Sequence, residues 1–95
     1  MIGMGKVLGA QMKIVGHLEN GRLDRVKDYL LTFASIWPDP ESCPIDPDVL
    51  KKSKLALINA GWELRTNDQD GLVIFDPTGA MYRSHRNGQP KFTDL

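Results

Sequence analysis

The four residues Leu72-Val73-Ile74-Phe75 would be apolar on both faces of a strand, and "DPTG" follows them directly. Successive strand side chains point to opposite faces, so Leu72 and Ile74 face one way and Val73 and Phe75 the other. Such a run suits a central strand better than an edge. Asp76, Pro77 and Gly79 stand where a type I turn followed by a left-handed residue wants them, so "AMYRS" (80–84) is expected to return alongside. The earlier stretch "WELRT" (62–66) alternates, with Trp62 and Leu64 opposite Glu63 and Arg65, and "NDQDG" (67–71) is a loop of turn formers. The expected product is a three-stranded antiparallel meander with 72–75 in the middle. One face of it packs on helices. The other needs a cover, either the N-terminal segment or a second copy of the chain, with Met81 and Trp62 shielding part of it.

Two periods compete upstream, over residues 4–19. As a helix, Met4, Val7, Leu8, Met12, Ile14, Val15 and Leu18 share a broad face, and Gly5, Gly9 and Gly16 line a narrow strip that permits close approach of another backbone. As a strand, Ala10, Met12, Ile14, Gly16 and Leu18 alternate with polar residues. The helix is preferred. Asn20-Gly21 ends either element. Over 22–37, Leu23, Val26, Tyr29, Leu30, Phe33, Ile36 and Trp37 recur at helical spacing, and Pro38 stops the helix. The stretch "PDPESCPIDP" (38–47), with four prolines, predicts a stiff acidic connection. Asp46-Pro47 then reads as N-cap and first helical residue, and Gly61 as the residue just past the end of a third helix. The fold class is α+β: two or three helices followed by the meander, in a single domain over 1–95 whose end, 88–95, frays.

Chemistry is scarce. "GMGK" (3–6) lacks the preceding strand, the four-residue glycine spacing and the Ser or Thr of a phosphate loop. Cys43, the single cysteine, has no histidine placed near it and reads as structural. It also makes an intrachain disulfide impossible. His17 and His85 do not combine with it at zinc-site spacing. Ser84 and His85 are adjacent on a strand and so point to opposite faces, which excludes a direct nucleophile–base pair. Asp68, Asp70 and Asp76 flank turns, where carboxylates cap backbone amides. No catalytic, metal-binding or cofactor-binding residue is assigned. With no signal-peptide pattern and no run long enough to cross a bilayer, a cytoplasmic protein without a membrane partner is expected.

The segment "KLALINAGWELRTNDQDGLVIF" (54–75), about a quarter of the chain, resembles the start of the HicA family of small RNA-cleaving toxins, which pair a helix ending in Gly-Trp with a meander. The resemblance implies a helix-on-sheet shape of a kind used to touch RNA. That family carries Gly-Ser-His on its second strand where this chain has Gly71-Leu72-Val73, so no catalytic residue follows from it. The same segment is similar to the last helix and wing of a winged-helix DNA-binding domain, with 67–71 as the wing tip. Upstream, the ten residues 38–47 replace the short turn a helix-turn-helix needs.

Two function classes remain. The first is a non-catalytic interaction module that binds a protein partner or itself, because the doubly apolar strand and the apolar N-terminal segment exceed what a small domain easily hides. The alternative is a nucleic-acid-binding regulator using Arg65, Arg83, His85, Arg86 and Lys91, with Lys51, Lys52 and Lys54 on phosphates. The 12 Lys and Arg balance 12 Asp and Glu, so that attraction has to be local. Arg83 and Arg86 are expected to serve binding, not stability.

Overall fold

A computed structural model of the protein describes residues 4–37, 43–67 and 71–84. Three helices, α1 (Met4–Glu19), α2 (Leu23–Ile36) and α3 (Pro47–Asn59), precede the strands β1 (Glu63–Asn67), β2 (Gly71–Phe75) and β3 (Met81–Arg83), an α+β arrangement.

The helical period prevails in the N-terminal segment because Ala10, Ile14 and Leu18, four residues apart, fall on one side of a helix, where Ala10 and Ile14 are buried and Leu18 packs against them. Gly21, at φ +67°, ends α1 by letting its own N–H reach the Leu18 carbonyl (3.3 Å) and the Arg22 N–H reach that of His17 (2.9 Å). The same pair of bonds closes α3. There Gly61 (φ +95°) donates to the Ile58 carbonyl and Trp62 to that of Leu57, each at 3.0 Å. At the start of α3 the Asp46 carboxylate accepts the Asp48 N–H (2.9 Å) and Pro47 takes the first helical position. Gln11 Oε1 accepts the Asp46 N–H (2.9 Å), joining α1 to that cap. Trp37, which precedes Pro38, leaves the helical region at φ −122°, ψ 82°.

The strand order is β1-β2-β3, antiparallel throughout, with Leu64 opposite Ile74 and Ile74 opposite Tyr82. Gly79, at φ +93°, supplies the left-handed residue after the turn, and the Asp76 N–H donates to the Ala80 carbonyl (2.9 Å). Strand β3 is shorter than the expected 80–84. Beyond Arg83 the Ser84 N–H still donates to the Leu72 carbonyl (3.0 Å), but the Leu72 N–H turns to the Ser84 hydroxyl (3.2 Å) instead of a backbone carbonyl.

Helix α2 lies on β2, α3 lies beside β1, and α1 packs on α2 and α3. Leu72 and Ile74 point into this helical layer with Leu64, Trp62 and Tyr82, meeting Ile14, Val26, Tyr29, Leu30, Phe33 and Leu57. Each fully buried aliphatic side chain here contributes roughly 1.5–3 kcal/mol. The N-terminal segment therefore joins the layer that covers the first sheet face, and does not cover the second. Trp62 also belongs to the core side, its ring 6.4 Å from that of Tyr82. Of the two side chains expected to shield the second face, only Met81 lies there, because it stands opposite Phe75 and two residues from Arg83, on the same side of β3. In the connection, Ile45 is buried and Cys43 packs against the core. The rest of the connection (38–42), the middle of the 67–71 wing tip (68–70) and the tail at 88–95 lie outside the described residues.

Candidate interaction surface

Strand alternation and register together put two rows of side chains on the sheet face turned away from the helices. In one row Arg65, Val73 and Arg83 are direct cross-strand partners; in the next stand Glu63, Phe75 and Met81. Neighbouring strands are about 4.8 Å apart, so the Cα atoms of Arg65 and Arg83 are separated by roughly 10 Å with Val73 between them. Val73 is buried, Phe75 half-buried and Met81 exposed. Arg65 donates from Nε (3.1 Å) and Nη2 (2.8 Å) to Glu63 Oε1, and its guanidinium carbon lies 5.2 Å from the centre of the Phe75 ring. Both partners of this ion pair are more than half exposed, which limits its stabilisation to about 0–1 kcal/mol. Its main effect is to hold Arg65 over the apolar centre and offset part of its charge.

Of the residues the sequence nominated, Arg65 and Arg83 thus come together in one row. Lys51, Lys52 and Lys54 are exposed on α3, in the helical layer. His85, Arg86 and Lys91 lie outside the described residues. Sequence reasoning missed that Leu55 and Ile58 stand exposed among the α3 lysines. Their positions three and four residues from Lys51, Lys52 and Lys54 were the available signal.

The reactive side chains serve structure. Burial pushes the Cys43 thiol up, with the Ile45 amide and Lys54 opposing, so it is a poor nucleophile at neutral pH. The Ser84 hydroxyl accepts from a strand amide. The Asp76 carboxylate is engaged by the turn: Oδ1 accepts the Thr78 N–H (2.9 Å), the Thr78 hydroxyl (2.6 Å) and the Ala80 N–H (3.0 Å). Among the described residues, no three His, Cys, Asp or Glu side chains come together to hold a metal ion, and no helix is long and apolar enough to cross a membrane.

Compared with known proteins, the chain matches no family model, no curated protein and no solved structure. The likenesses of residues 54–75 to HicA toxins and to winged helices therefore add nothing to the surface itself.

Proposed function

We propose that this chain is a non-catalytic interaction module that docks another protein chain on the outer face of its sheet. The observation that carries this reading is the register row Arg65–Val73–Arg83 beside Phe75 and Met81, an apolar centre with a guanidinium on either edge, facing away from the helices. Arginine and large apolar side chains around a compact centre are the composition of protein-docking surfaces. Three strands of at most five residues present on the order of 250 Å², well below the roughly 800 Å² per partner of a standard stable interface. The complex is accordingly of the exchanging kind. A nucleic-acid strand would find Arg65 already engaged by Glu63 and an aliphatic side chain between the two cations, with no global positive charge to draw it in.

A photoreactive amino acid introduced at Met81 tests the proposal against the same probe at Arg25 on the exposed side of α2. Protein adducts, to a second copy or to another chain, are expected at position 81 and not at 25. Adducts to nucleic acid alone, or equal capture at both positions, would remove the protein-docking reading.

A further inference from the structure

Helix α3 carries on its solvent side a pattern that its part in the core does not explain. Ser53 and Leu57 are fully buried, while Leu55 and Ile58 on the other side are 46% and 50% exposed. At 100° per residue, Lys54, Ile58, Lys51, Leu55 and Lys52 succeed one another around that side, so lysines stand both between and outside the apolar pair. Among the described residues none of the three lysines forms an ion pair, and the helix sets them against a single carboxylate, Asp48, which stands three and four residues before Lys51 and Lys52. Helix α2, by contrast, balances its two cations, Arg25 and Lys27, with two carboxylates, Asp24 and Asp28. Lys51 and Lys54 are like charges three residues apart, an arrangement that mildly opposes the helix unless something neutralises it.

We infer that this strip is a docking site for an acidic amphipathic protein segment. Apolar side chains one turn apart on the partner cover Leu55 and Ile58, and carboxylates on both flanks meet Lys51, Lys54 and Lys52, which is the helix-on-surface mode of peptide recognition. Charge and shape both point to this occupant. A phosphate backbone drawn to Lys51 and Lys54 would press against Leu55 and Ile58, and the strip offers neither an arginine to read a base nor an aromatic ring to stack on one. The site lies on α3 and shares no residue with the sheet face, so the two readings stand or fall separately.

The probe is a fluorescein-labelled helical peptide of about 16 residues with leucines along one face and glutamates on either side, titrated by polarisation against the full chain. A scrambled peptide of equal composition, a duplex DNA oligonucleotide and phosphatidylserine vesicles serve as competitors. The patterned peptide is expected to bind at least about tenfold more tightly than the scrambled one. Leu55→Ser with Ile58→Ser is expected to weaken it about tenfold while circular dichroism stays native, since both side chains are half exposed. Lys51→Glu with Lys54→Glu should lose the acidic peptide and gain its lysine counterpart. Equal binding of the scrambled peptide, displacement by DNA or vesicles as readily as by peptide, no binding, or insensitivity to both variants would each overturn the inference.

Discussion

Lys27 Nζ lies 4.0 Å from the centre of the Tyr82 ring, and pairs with Asp28 at 2.8 Å, although Lys27 is a buried residue. A residue in the middle of α2 is thereby held to β3. The lysine stem packs in the interior and its ammonium is matched by a carboxylate and a ring face, the two conditions under which a charge is tolerated there. Lys27→Ala is expected to cost about 2–3 kcal/mol in urea unfolding, from lost methylene burial and ring contact together. Lys27→Met, which keeps the stem, should cost about 1 kcal/mol. Equal losses in the two variants would assign the whole effect to the charge.

The same ring ties in the hairpin turn, because Tyr82 donates its hydroxyl to Asp76 Oδ2 at 3.1 Å. The Thr78 hydroxyl first, then the Ala80 amide, Tyr82 and the Thr78 amide, hold the Asp76 carboxyl below its ordinary range. A depressed carboxyl stabilises the fold above its unfolded pKa of about 3.9, and that contribution is lost as pH falls through the lower folded value. Thermal melts at descending pH should show an acid limb that Asp76→Asn makes shallower; an unchanged limb would show that Asp76 is not its source.

Tyr29 is fully buried between His17 and Phe33, and its hydroxyl has no hydrogen-bond partner among the described residues. A buried hydroxyl left unpaired costs roughly 1–3 kcal/mol, whereas the ring itself is well packed. Tyr29→Phe is therefore expected to stabilise the protein by about 1 kcal/mol, raising the melting midpoint by about 4–8 °C for a domain of this size. A lower midpoint would reveal a polar partner for the hydroxyl.

His17 Nδ1 accepts the Arg22 Nε–H at 2.8 Å, a bond that only the neutral imidazole can make. Burial, with Arg22, Arg25 and Lys13 nearby, pushes its pKa below the ordinary value. Since the unfolded chain then takes up the proton first, stability is complete above about pH 6.5 and declines as pH falls toward the folded pKa. Wild-type protein should melt at lower temperature at pH 5.5 than at pH 7.5, and His17→Phe should remove that part of the difference. A wild-type midpoint that rises on acidification over this range would contradict the assignment.

The parts of the fold legible in the sequence are those set by neighbours along the chain. Asp46-Pro47, Gly61 and Gly79 each fix a local backbone state, and strand alternation fixes that Glu63 and Arg65 share one face of β1, and Met81 and Arg83 one face of β3, but not which of these faces turns outward. Which layer an element joins is not local. The apolar side of α1 fits a helix pair as well as a sheet face, and only packing on α2 and α3 decides between them. The Lys27–Tyr82 contact is equally hidden, because a lysine at that helix position reads as solvent-facing until β3 lies beneath it. Leu55 and Ile58 are as apolar as Leu57, and only their projection around the helix sets them apart from it.

The glycines of α1 supply the last test. A Cβ on Gly9 or Gly16 would meet no atom of another described element within 4 Å, and neither residue has the positive φ that would strain a side chain. The room these glycines leave for another backbone is not used by any of the described residues. In a helix each glycine costs about 0.8–1 kcal/mol relative to alanine, so Gly9→Ala with Gly16→Ala should stabilise a lone chain by up to about 2 kcal/mol. Melts of both proteins at low and high concentration separate the cases. A gain of this size, independent of concentration, shows that the strip is solvated. A loss, or the disappearance of a concentration dependence seen only in the wild type, shows that a second backbone packs against the glycines, because added methyl groups would hold that backbone away.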